Sequence, residues 1–153
     1  MKKFLWLAIA TVAIILGLIT FYGVKVTATI ERDGDDNRCP LSSPVFVKVE
    51  NNTFSTIRDV TFDLEMFKGD RSKNVLTGSL NRNFDIVINP FSSEAGCFSD
   101  NYIKSIIEPN PIDLRVANRK EALSSSLESV NNFRHFEEEH AVYISNIEVS
   151  YLK

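Results

Sequence analysis

From Phe4 to Val24 the chain runs for 21 residues without a charge, directly behind Lys2 and Lys3. An α-helix rises about 1.5 Å per residue, so a run of this length matches a bilayer core of roughly 30 Å. It predicts one membrane-spanning helix over 4–24, with all later residues on one side of the membrane. Basic residues stay on the cytoplasmic side, so Lys2 and Lys3 make residues 1–3 a cytoplasmic tip and send residues 25–153 across. Trp6 and Tyr22 fall near the two ends, where amphipathic rings favour the headgroup zone. The rival is a cleaved signal peptide, with an apolar region of about 7–15 residues and a small-x-small cleavage site. The nearest such site, Val26-Thr27-Ala28, lies inside a segment that reads as a strand. An uncleaved signal-anchor is therefore favoured.

The translocated part has the size of one domain. It holds all 20 acidic residues and 15 of the 17 basic ones, for a formal net charge of −5. Nucleic-acid binding needs a basic patch, and none is present. The charges are interspersed, as on an ordinary soluble surface. Cys39 and Cys97 are the two cysteines, both on the translocated side, which is oxidising in bacteria and in secretory systems. With no third thiol they most simply form one disulfide; two buried reduced cysteines are the alternative.

Beyond the apolar run, period-two alternation takes over. Val24, Val26, Ala28 and Ile30 alternate with Lys25, Thr27, Thr29 and Glu31, and Val45, Val47 and Val49 alternate with Phe46, Lys48 and Glu50. The strongest alternation sets Val60, Phe62, Leu64 and Met66 against Asp59, Thr61, Asp63 and Glu65. Such segments predict half-buried strands. Further strands are expected over Phe84–Ile88, ended by Pro90, then around Cys97-Phe98, over 111–117, and from Ala141 to Leu152 with a bulge near Ser145-Asn146. Turns are expected at 33–37, 51–53 and 68–72. Within 119–139, Leu123, Leu127, Val130 and Phe133 recur at helical spacing, and Ser124 to Ser126 offer a cap. This reads as a short helix or irregular excursion. About seven short strands predict an all-β fold, an immunoglobulin-like β-sandwich preceded by the membrane helix. The expected core is Val47, Val49, Val60, Phe62, Leu64, Ile86, Leu114 and Val149.

The stretch Val45–Phe98 resembles the FxLYD-type domains of bacterial extracytoplasmic proteins and, more loosely, the late-embryogenesis-abundant type 14 sandwich. The matching elements are Val45-Phe46-Val47-Lys48-Val49 followed by Asn51-Asn52-Thr53, then Ile57, Val60 and Phe62-Asp63-Leu64, and Pro90 ahead of Cys97-Phe98. Glu65 and Met66 stand where the family has Tyr and Asp. Cys39-Pro40-Leu41 with Cys97 is similar to small single-anchor envelope proteins of Gram-negative bacteria. The resemblance implies an interaction or accessory module, anchored in a bacterial inner membrane with its sandwich in the periplasm. It carries no catalytic residue onto this chain.

Candidate chemistry is sparse. His135 and His140 flank Phe136-Glu137-Glu138-Glu139. Five helical residues turn about 500°, so the two rings diverge by about 140°, and a strand would put them on opposite faces. A solvated acidic segment is favoured over a metal site. Cys39 and Cys97 are too far apart in sequence for the usual soft-metal pair. Asp59, Asp63, Glu65 and Asp85 are expected to face water rather than do acid–base work. Asn51-Asn52-Thr53 is a formal glycosylation sequon and also a strand-end turn. No Gly-x-Ser-x-Gly elbow or phosphate-cradling glycine loop occurs. The expectation is a non-enzymatic binding or scaffolding module of an envelope assembly. It needs no cofactor and engages the bilayer through residues 4–24 and a protein partner. The alternatives are a metallochaperone or thiol-redox accessory using Cys39 and Cys97, and a small hydrolase.

Overall fold

The computed structural model describes residues 23–31, 39–78, 81–109, 111 and 118–152. The apolar run up to Tyr22, the 33–37 turn and Leu114 with its expected strand lie outside the described residues. Among the described residues, no helix is long and apolar enough to cross a membrane.

The strands are β1 (Gly23–Ile30), β2 (Val45–Asn52), β3 (Ile57–Lys68), β4 (Asn81–Phe84), β5 (Ser92–Phe98) and β6 (His140–Tyr151). Helices α1 (Asn101–Ile107) and α2 (Arg119–Glu139) fill the connection from β5 to β6. The fold is mostly β. One sheet runs β1-β2-β5 and the other β4-β3-β6, with every pair antiparallel. Six strands are found among the described residues, where about seven were expected.

Alternation explains the layers. In β2, Val45, Val47, Val49 and Asn51 are buried, and the intervening residues are half-buried. In β3, Val60, Phe62, Leu64 and Met66 are buried in the same way. These two faces meet in one core, which Val26, Phe84, Ile88, Ile103, Ile107, Phe133 and Phe136 complete. Ile57 is also buried, three positions before Val60, which strict alternation forbids. The strand resolves this with a register shift between Ile57 and Asp59. The second irregularity sits where the phase of β6 predicted it. Thr61 pairs with Glu148 but Asp63 pairs with Ser145, leaving an extra residue in β6. Asn146 absorbs it at φ 49°, a left-handed backbone that asparagine tolerates.

Three expectations need correction. The strand β1 begins at Gly23, so the sheet takes in two residues assigned to the apolar run. Gly23 pairs with Asn52, and its φ of 144° suits a glycine at the junction. Ile86 is not core; it is 42 % exposed. The chain leaves the sheet at Phe84, the Ile86 N–H bonds back to the Phe84 carbonyl at 3.0 Å, and Ile88 returns to bridge Ile57. Phe84 and Ile88 are thus buried without a strand between them. Val149 is half-buried and packs against the core.

The third correction concerns 119–139. The segment is a full helix, and its cap is Asn118 rather than the serines. The Asn118 side chain accepts from the Glu121 N–H, and Glu121 reaches back to the Asn118 N–H. Ser124 and Ser126 instead bond to carbonyls inside the helix. Only its last turns reach the core, through Phe133 and Phe136. Leu123 and Leu127 are 61 % and 58 % exposed despite their helical spacing.

Phe62→Ala should cost about 3–5 kcal/mol in urea denaturation, as for a buried aromatic. Ile86→Ala should cost under about 0.5 kcal/mol. Equal losses would restore Ile86 to the core.

Candidate functional site

The two sheets have two poles. At one lie Gly23, the β2–β3 turn and the end of β6. At the other lie the helices, the disulfide and the start of β6. The helix pole collects most of the chain's polar engineering.

Cys39 and Cys97 are joined by a disulfide, with Cα atoms 5.6 Å apart. Cys39 precedes β2 through the Pro40–Ser43 turn, and Cys97 stands opposite Phe46 in the β2–β5 ladder. The bridge therefore ties the entrance of one strand to the exit of its neighbour. The bond commits both sulfurs, so no thiolate is available there, and Cys39 is buried as well.

Asp100 was not singled out in the sequence, yet it is the polar hub of this pole. It is buried and caps α1 by accepting the Tyr102 N–H at 2.9 Å. The same carboxylate accepts the Thr77 N–H at 3.1 Å, the Thr77 hydroxyl at 2.9 Å and the Gly78 N–H at 2.9 Å. Arg82 Nη2 stands 3.9 Å away. Burial raises its pKa, but the hydrogen bonds from Tyr102, Thr77 and Gly78 outweigh burial and hold it below the usual value. A side chain at Gly78 would put Cβ 2.7 Å from Asp100 Oδ2, so glycine is required by this close approach. The Ser99-Asp100 pair ahead of Tyr102, Ile103, Ile106 and Ile107 is a readable cap signal; the reach to Thr77 is not.

His140 is the second buried polar group here. Its Nδ1 lies 2.8 Å from the Phe136 carbonyl, which only accepts, so Nδ1 carries the proton. Nε2 then accepts from the Tyr102 hydroxyl at 2.9 Å. The ring stacks on Phe136 with centroids 4.4 Å apart. Both nitrogens are engaged, while His135 is exposed beside Glu138, so the structure does not bring the two histidines together. Among the described residues, no three His, Cys, Asp or Glu side chains converge on a metal position.

Asn51 is fully buried. Its Nδ2 donates to the carbonyls of Ser55, Ile88 and Asn89, and its Oδ1 accepts from the Thr53 N–H and hydroxyl. The sequon asparagine is thus inaccessible to a glycan in the folded domain. The four carboxylates considered for acid–base work do not form a pair. Asp59 accepts from the Ser150 hydroxyl, Asp63 from Asn146 Nδ2 at 2.7 Å, and Asp85 is exposed.

Glu65 lines an open depression of about 560 Å³ on the outer face of the β4-β3-β6 sheet. Phe67 and Tyr143 form its floor, edge to face at 5.7 Å, and Asp70, Arg71 and Ser72 rim it. Comparison with protein-family models, curated proteins and solved structures finds no match for the chain.

Two outcomes follow. Cys39→Ser and Cys97→Ser should each destabilise by about 2–5 kcal/mol, and the double variant by no more than either. Additive losses in urea denaturation would show that the thiols act independently. For His140, burial pushes the pKa down and outweighs the Phe136 carbonyl, which pulls it up. A histidine depressed in the fold contributes fully above its ordinary pKa of about 6.5 and loses that contribution as pH falls through the folded value. The melting temperature should therefore drop as pH falls below about 6.5, and His140→Phe should flatten that limb. A limb unchanged by the substitution would place the titrating group elsewhere.

Proposed function

We propose that this chain is a single-pass envelope protein whose sandwich acts as a binding or scaffolding module outside the inner membrane. The observation that carries it is the Cys39–Cys97 bridge in a domain whose first strand starts directly behind a membrane-length uncharged run. Disulfides persist in oxidising compartments, which favours the periplasmic side for residues 23–153. The strand orders β1-β2-β5 and β4-β3-β6 parallel the A-B-E and C′-C-F neighbours of immunoglobulin-like sandwiches, in keeping with the resemblance to FxLYD-type domains. Two helices take the place of the usual short link before the last strand. In this reading the bridge is a clamp rather than a reactive dithiol.

Protein contact is assigned to the outer face of β6, an edge strand of its sheet that exposes Tyr143 in the Phe67 depression. A periplasm-dependent reporter fused after Lys153 should be active, and one fused at Met1 inactive; the reverse pattern removes the topology. Crosslinking from intact membranes should capture a protein partner, and Tyr143→Ala should weaken capture at least about tenfold if the ring is a binding hot spot. Undiminished capture would move the contact to another face.

A further inference from the structure

Gly23 opens β1 opposite Asn52, the last residue of β2. No linker separates it from the uncharged run, and consecutive Cα atoms are about 3.8 Å apart. Wherever that run enters a bilayer, this pole of the two sheets must follow. Three further pieces of chain end at the same pole. The β2–β3 turn carries Phe54. The connection from β4 to β5 carries Ile86, Val87 and Phe91, and is held here by the Ile88–Ile57 bridge and the Ser92–Asn51 pair. The end of β6 arrives through the Tyr151–Ile57 pair and the Leu152 N–H bond to Thr56.

What these pieces show to solvent is apolar. Phe54 is 75 % exposed, Phe91 54 %, Val87 53 % and Leu152 49 %. Phe54 and Phe91 meet edge to face at 5.0 Å, bringing two separate turns into one aromatic tip. The backbone under Phe91 adds a second observation. Asn89-Pro90-Phe91-Ser92 closes a turn with Ser92 N–H to the Asn89 carbonyl at 3.2 Å, and Phe91 takes φ 55°. That third position with positive φ ordinarily holds glycine, and a bulky side chain there is strained. Strain of this kind is kept where the side chain has a use, and this one holds an aromatic ring out of the core.

We infer that this pole seats in the headgroup region of the bilayer, with Phe54, Phe91, Val87 and Leu152 dipping into the interface. This placement rests on residues 4–22 spanning that bilayer, as proposed above. Aromatic and aliphatic side chains at loop tips gain from leaving water there, as Phe and Leu do on peripheral segments that bury at the headgroup–acyl boundary. Lys25 and Arg58 are exposed toward the same pole, but so is Asp85, so apolar burial rather than charge drives the contact. The domain is then fixed at two points, by its span and by its tip. It stands on the membrane with the disulfide, the helices and the depression held away from it.

The test uses the full chain in vesicles of phosphatidylethanolamine and phosphatidylglycerol, with and without brominated acyl chains. Trp6 is the single tryptophan. In a Trp6→Phe background, Phe91→Trp should lose emission in brominated vesicles and shift to the blue. Tyr143→Trp, eight residues and roughly 25 Å from the end of β6, should do neither. Val87→Trp repeats the measurement on the neighbouring bend, in case tryptophan is not accepted at position 91. Retention after carbonate washing with no more quenching at 91 or 87 than at 143 overturns the seated pole and leaves the anchored reading standing. A blue shift without quenching means that protein covers the tip, a second copy or residues 4–22, and also overturns it. Release by carbonate removes the anchored reading and the seated pole together.

Discussion

Among the described residues each sheet of this domain has three strands and one face worth burying, so neither is stable without the other. The seam between β2 and β3 is the interaction on which everything else depends. Val45, Val47 and Val49 present small branched side chains, and Phe62, Leu64 and Met66, next to Val60, present larger ones. Small against large lets two narrow sheets interdigitate at close-packed density. At the ends of the seam apolar residues run out, and buried polar groups take over. Asn51 closes one pole with all its hydrogen-bonding capacity used, and Asp100 closes the other. Asn51 binds backbone of the two connections that cross between the layers there, β2–β3 and β4–β5, and Asp100 ties the β3–β4 connection to the start of α1, which a hydrophobic residue could not do.

The parts legible in the sequence were those governed by local period. Alternation found β2 and β3, their buried faces and the bulge in β6. It failed at Ile86, because period two says which way a side chain points only while the chain stays in a sheet. It failed again at Leu123 and Leu127, where helical spacing identified a helix but could not say how far that helix overhangs the core. The capping box Asn118-x-x-Glu121 is readable in the sequence, and it rather than Ser124 to Ser126 starts the helix. Asn51 and Asp100 looked like ordinary turn residues. Their partners lie up to 38 residues away along the chain, and nothing local announces them.

The helix-to-strand junction repeats the same economy. The helix α2 ends at Glu139 and β6 starts at His140, with no loop between them. Three glutamates crowd a helix C-terminus, where negative charge is unfavourable. Lys68 answers them by pairing with Glu139 at 2.8 Å, and the Gly69 N–H bonds to the Glu139 carbonyl at 2.7 Å. The His140 ring then accepts from Tyr102 of α1. The orientation of α2 is thus set by the end of β3 and by α1, and needs no contact along its exposed half.

The disulfide encloses β2, β3, β4 and nearly all of β5 in one covalent ring, and leaves β1, the helices and β6 outside it. Tension arriving through Gly23 would draw β1 along its own axis against β2, loading the whole ladder from Gly23–Asn52 to Ile30–Val45 in shear rather than opening it pair by pair. Should β1 slide free, the slack released is limited to chain outside the ring. The 58-residue interval between the cysteines stays closed. A load applied at Gly23 would then release only the chain ahead of Cys39 before the covalent ring takes it up.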